Sequence, residues 1–215
     1  MASGFPGSID SFTNPLTTSP LNSPSHAGQH QDLNDAVNKI ETYMGLVKVI
    51  PTGATNGTVS ADGDVTIGNA VSSVSVSGAF SALYDHYKIL IYGTIASSAG
   101  NGTLQLSGIT GSVYSLGGTF FNYGSAVVSG YGPAATTTWN AIAPIFTSGG
   151  SSISIDLFGP NLASNKQMFV QASSPTGYYS FGGACGSTTQ ATGFVFSSNV
   201  TSITGGTIRV YGYRN

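Results

Sequence analysis

The chain is 215 residues long, about one ordinary domain with a short extension, enough to bury a real core but not several independent ones. Only 7% of it is Asp, Glu, Lys or Arg and the net charge is −2. An average soluble protein carries roughly 25% of these residues. Six scattered cations create no field that would hold nucleic acid or an anionic membrane. A 40% hydrophobic content with 11 Tyr and 11 Phe excludes intrinsic disorder as the general state. Ser (31), Thr (23) and Gly (30) dominate what remains, so an all-β, uncharged globule coated with hydroxyls is expected. The single cysteine, Cys185, excludes an intramolecular disulfide framework and a multi-cysteine zinc site. No apolar run reaches membrane-spanning length, and the first residues lack the basic and apolar blocks of a signal peptide. A protein left in the cytoplasm, or built into a larger assembly, is expected.

Residues 1–24 carry Pro6, Pro15, Pro20 and Pro24 among Ser, Thr and Asn. Proline removes backbone donors and fixes φ, so neither helix nor central strand is expected. Phe5, Ile9, Phe12, Leu16 and Leu21 are nevertheless dotted through the segment. Two readings stand: a disordered tail, or an extended anchoring arm that lays these five side chains on another protein.

Residues 25–45 contain the one convincing helix. Leu33, Val37, Ile40 and Met44 follow a 4–3–4 spacing, a narrow seam of period 3.5. Asp32 and Asp35 are read as early and Lys39 as late, as the helix dipole prefers, with Gly45 as the stop. About four turns with so thin a stripe are marginal alone in water. The helix packs either on its own domain or on copies of itself around an axis. The β-branched Val37 and Ile40 are compatible with a trimer as well as a dimer.

Residues 46–215 alternate as strands do. Strands are expected at Val59–Ile67, Val71–Val76, Tyr87–Tyr92, Thr103–Ser107, Val113–Leu116, Ile153–Leu157, Met168–Gln171, Gly193–Phe196 and Thr207–Tyr211. The run Ile89–Leu90–Ile91 reads as a central strand covered on both faces. Long connections favour a jelly-roll-like antiparallel β-sandwich over an immunoglobulin domain, whose Cys–Trp–Cys spacing is absent. Between Lys88 and Asp156 there is no charged side chain. Such a surface is solvated by hydroxyls and amides, or part of it is covered by sister subunits, where a charge would be costly to desolvate.

Candidate chemistry is sparse. Asp62 and Asp64 flank Gly63 and read as a hairpin turn, with a weak calcium loop as the alternative. His26 and His30 have chelating spacing but no third ligand in the chain, so surface or cap roles are favoured. His86 beside Asp85 has no Gly-x-Ser-x-Gly nucleophile elbow to serve and reads as a polar turn. The glycine pairs do not continue into Gly-Lys-Thr or open a helix, so no phosphate cradle is expected. Catalytic residues, metal and cofactor are therefore all expected to be absent. Tyr123, Tyr131, Trp139, Tyr178 and Tyr179 lie among small polar residues and read either as core or as candidate ligand-binding aromatics.

The segment Asn22–Ala36, with its Ser-His-x-x-x-His-x-Asp-x-Asn-Asp-Ala pattern, resembles one that recurs in virion structural proteins of tailed bacteriophages. The runs Val65–Val76 and Tyr84–Ile91, and the ending Ile203–Gly212, look like the opening and close of the β-sandwich heads of such proteins. The resemblance touches about 45 residues near the middle and both ends, and 93–200 lies outside it. It implies a non-enzymatic homotrimer with three parts: an anchoring arm (1–24), a trimerisation helix (25–45) and a β-sandwich head (46–215). Trimerisation would fall to His30, Leu33, Val37, Ile40 and Met44. The arm would grip the major capsid protein or another virion protein, on the capsid surface rather than the tail. The alternative is a tail-fibre or baseplate module that binds cell-surface glycan through aromatic loops.

Overall fold

The computed structural model describes residues 26–43, 45–125, 128–132, 134–199 and 202–213. Phe5, Ile9, Phe12, Leu16, Leu21 and Met44 lie outside the described residues. The chain divides into an N-terminal unit that ends at Gly45 and a head over Leu46–Tyr213.

In the N-terminal unit, α1 spans His26–Tyr43 and is followed by Gly45 at φ 86°, the left-handed stop that a side chain would strain. The helix begins at His26, within one residue of the expected start and well before Asp32. Asp32 and Asp35 therefore lie beyond the first turn and Lys39 before the last, and neither terminus has a complementary charge. Tertiary or quaternary packing must stabilise this helix. Its seam is open in the single chain: Leu33 is 54% exposed, Val37 44% and Ile40 44%, and His30 is exposed beside them.

The head is mainly β. Its strands are β1 (Leu46–Val49), β2 (Gly53–Thr55), β3 (Gly57–Val59), β4 (Val65–Ile67) and β5 (Ser73–Ser77). Next come β6 (His86–Ala96), β7 (Gly100–Leu106), β8 (Tyr114–Asn122), β9 (Val128–Tyr131) and β10 (Trp139–Ile145). The head closes with β11 (Ser151–Phe158), β12 (Lys166–Ser174), β13 (Gly177–Cys185), β14 (Phe194–Ser198) and β15 (Ile203–Tyr213). Every ladder between them is antiparallel.

Eight strands pair as a nested set: β4 with β15, β5 with β14, β6 with β11 and β7 with β10. One long hairpin has wrapped on itself into two sheets, which is the jelly roll expected from the sequence. The smaller sheet runs β10-β7-β14-β5-β2. The larger runs β3-β4-β15-β6-β11-β12-β13-β8-β9, with β1 also paired to β15. Two insertions, β8–β9 and β12–β13, widen this larger sheet by four strands beyond β11.

Strict alternation sorts the side chains. In β12, Lys166, Met168, Val170, Ala172 and Ser174 point inward while Gln167, Phe169, Gln171 and Ser173 point outward. The core between the sheets combines Tyr87, Ile89, Ile91, Ile155 and Val170 from one side with Leu104, Ile142, Phe194 and Phe196 from the other. Trp139 is fully buried there, its ring edge-on to Tyr114 at 4.9 Å and its Nε1 donating to the Ala184 carbonyl at 3.1 Å. A Cβ on Gly183 would come within 2.8 Å of that Nε1, so only glycine lets the indole approach the strand so closely. Lys166 is a charged residue at a core position. Its Nζ donates to the carbonyls of Leu162 (2.9 Å), Ser164 (2.5 Å) and Ser187 (2.8 Å), and burial pulls its pKa below the usual lysine range.

Several expectations need correction. Val59–Ile67 is two strands, with Ser60–Asp64 forming the turn between them. Ile89–Leu90–Ile91 is central, but Leu90 points outward and is half-buried rather than covered. Short β1, β2 and β9, together with β10 and β13, were not anticipated. In β10 the signal is broken by Pro144 and by an irregularity around Ala141, whose φ is 58°.

Candidate functional site

The outer face of the larger sheet carries the chemistry. Cross-strand register sets its rows. Tyr211, Lys88, Asp156, Phe169, Gly182 and Gly117 follow one another across β15, β6, β11, β12, β13 and β8. Arg209, Leu90, Ser154, Gln171, Ser180 and Thr119 form the next row.

Asp156 is held from two sides. Lys88 Nζ donates to both carboxylate oxygens at 3.0 and 3.1 Å, and the Tyr213 hydroxyl donates to Oδ1 at 2.6 Å. Sharing its proton with that carboxylate pushes the Tyr213 phenol up to about 12. Next in the row, Phe169 is 59% exposed although it sits in the middle of a sheet. Phe158 supports it edge-on at 5.9 Å, and His86 in turn meets Phe158 at 5.0 Å. On its other flank Gly182 offers no side chain, so a depression opens beside the ring.

That depression, about 380 Å³, is lined by Asp156, Phe169, Gln171, Ser180 and Gly182 together with the backbone neighbours Val170 and Phe181. Gln171 also borders a second hollow of about 360 Å³, walled by Tyr92 and Tyr178. The two hollows lie side by side on the outer face along β12 and share Gln171 as a wall, and together they are called the trough.

The aromatics singled out in the sequence are not gathered. Trp139 is a core residue and cannot reach a ligand, because packing between the sheets removes it from the surface. Tyr179 packs against the core and stacks on Phe120 at 5.8 Å. Tyr131 lies near Phe181 at 6.2 Å, on the opposite face from Tyr178. Tyr123 is exposed at the end of β8. Tyr178 alone lines the outer trough. Phe169, Gln171, Ser180 and Gly182 were missed. The signal was present in the alternation over 166–174, which places one large apolar residue on an otherwise polar face.

Among the acids, Asp64 is consumed by structure. Arg209 and Lys48 grip its carboxylate and hold it down to about 2. Among the described residues, no group of three or more His, Cys, Asp or Glu side chains is placed to hold a metal ion. Likewise, no described helix is long and apolar enough to cross a membrane.

The fold and face define a widened jelly roll with a neutral, aromatic-centred trough. No protein-family model and no curated protein matches the chain. Among solved structures, a crystal structure of a protein of unknown function from Shewanella oneidensis MR-1 aligns over 94% of this chain and 98% of that one, at 9% identity and a TM-score of 0.23.

Proposed function

We propose that the chain is a non-enzymatic bacteriophage virion structural protein, a homotrimeric capsid decoration or head-spike protein anchored by residues 1–24. One observation carries the self-association: Leu33, Val37 and Ile40 stand open on one stripe of α1. Apolar surface of this kind gains roughly 25 cal/mol per Å² when another helix covers it. The resemblance of Asn22–Ala36 to a segment of virion proteins supports the setting, and the hydroxyl-rich, charge-poor head suits a particle surface. Met44 would continue the same seam and His30 would precede it by three residues.

Light scattering at micromolar concentration tests the assembly. A mass three times 21.8 kDa is expected, and Leu33→Asp/Ile40→Asp is expected to give monomers with an intact head. A wild-type monomer overturns the reading. Removal of residues 1–24 should leave a folded trimer that no longer attaches to particles, and retained attachment counts against the arm.

A second reading, a tail-fibre or baseplate module that binds cell-surface glycan, is favoured by the outward trough with Phe169 and Tyr178. Trp139→Ala does not discriminate between the readings, because the indole is structural.

A further inference from the structure

We propose that the trough centred on Phe169 is a binding site for a neutral oligosaccharide, one sugar ring seated on the Phe169 face and its hydroxyls read by Asp156, Gln171 and Ser180. This deepens the glycan-recognition reading and rests on it, and it does not depend on how the protein is anchored.

Four features converge. The Phe169 ring is exposed but held by its edge-on contact with Phe158, so a flat apolar platform is presented with little ordering left to be done on binding. Gly182 places no side chain beside it; a Cβ there would stand 3.6 Å from the ring, in contact with it, and a larger side chain would project into the hollow. The polar groups around the ring are an amide, a hydroxyl and a carboxylate, which together offer both donors and acceptors. A sugar hydroxyl both donates and accepts, and it matches this set better than any group that does only one. Asp156 is also pre-oriented. Tyr213 and Lys88 bond to Oδ1, whereas only Lys88 meets Oδ2, which keeps acceptor capacity for a ligand hydroxyl.

Charge selects against anionic ligands. The carboxylate faces the same hollow, and its one ionic partner, Lys88, is already engaged by it. A sialylated or phosphorylated sugar would find no cation among the lining residues to offset the desolvation of its charge, while a neutral one needs none. The site also extends. Tyr178 lies opposite Ser173, four residues along β12 from Phe169, or about 13 Å at the usual strand rise. One ring does not span that distance, so the ligand is an oligosaccharide with a second contact at Tyr178 and Tyr92. A peptide is disfavoured because the face presents side chains only; the backbone bonds a strand would need are spent in the ladders on either side of β12.

An array of neutral and sialylated oligosaccharides, probed with the full-length protein, tests the site. Wild type is expected to bind neutral members. Phe169→Ala should weaken that binding at least tenfold, and Gly182→Val should abolish it without removing any polar or aromatic contact. Both positions face outward, so thermal unfolding within a few degrees of wild type checks that the variants are folded. Binding confined to sialylated members overturns the inference. Neutral-glycan binding lost in Tyr123→Ala but retained in Phe169→Ala overturns this site while keeping glycan recognition. No glycan binding by wild type overturns both.

Discussion

Arg209 on β15 and Asp64 in the β3–β4 turn, 145 residues apart in the chain, form a forked ion pair: Nε reaches Oδ1 at 2.9 Å and Nη2 reaches Oδ2 at 2.8 Å. Lys48 binds the same carboxylate from β1. Asp64, read from the sequence as part of a hairpin turn, is thus also a clasp that fixes the β3–β4 hairpin and β1 against β15.

The clasp has a pH signature. Asp64 has a folded pKa of about 2 against an ordinary value of 3.8, so its contribution is fully present above the ordinary value and is lost as pH falls through the folded one. Asp64→Asn should lower the melting temperature at neutral pH. It should also flatten the acid limb of the stability profile between about pH 4 and 2, as followed by circular dichroism.

Lys166 should behave as a structural cation. Lys166→Met fits the apolar surroundings but strips the donor from three part-buried carbonyls; an acceptor left unpaired costs about 1–3 kcal/mol where water cannot reach it and less where water can. Urea unfolding is expected to show a loss of about 2 kcal/mol or more. A neutral result would mean that the loops carrying Leu162, Ser164 and Ser187 re-pair on their own.

Trp139→Ala should destabilise the head by about 3–5 kcal/mol, the range for removing a fully buried large aromatic. Trp139→Phe keeps most of the packing and loses the bond to Ala184, so a smaller loss of about 1 kcal/mol is expected. Chemical denaturation of the two variants side by side separates ring volume from the indole hydrogen bond.

Tyr213 should ionise late. The bond to Asp156 raises its folded pKa to about 12, so the stability it contributes is present below the ordinary value near 10 and fades as pH rises through the higher one. The difference between wild-type and Tyr213→Phe absorbance titrations isolates this phenol among the tyrosines. A midpoint near 10 would show that the bond is not kept in solution.

The fold class was legible because period-2 patterning is a direct imprint of burial. The alternation around Val65–Ile67 and Val74–Val76 places those side chains in the core, where they are found. The helix was legible from its seam, including its start, whereas the dipole reading of Asp32, Asp35 and Lys39 was not, because those charges lie a turn or more inside its ends. The site was harder to read. Trp139 stands among Thr and Asn in a manner typical of an exposed loop, yet a glycine on a strand 44 residues later makes room for it. Phe169 looks like an ordinary core residue until the neighbouring Met168 and Val170 are seen to claim the inner face. Such assignments depend on partners distant in the chain, which local patterns do not encode.

The nested pairing has a consequence for how the molecule comes into being. β15 is made last among the strands, yet it lies between β4 and β6 and also pairs with β1. The larger sheet therefore has no completed middle until the last strand of the head has been synthesised, and contacts so remote in sequence place the head among slow folders, in milliseconds to seconds. A nascent chain that stops a dozen residues short of Tyr213 loses not a fringe but the seam on which both halves of the barrel-like wrap close. Quality control of this head is in effect a check on its final strand.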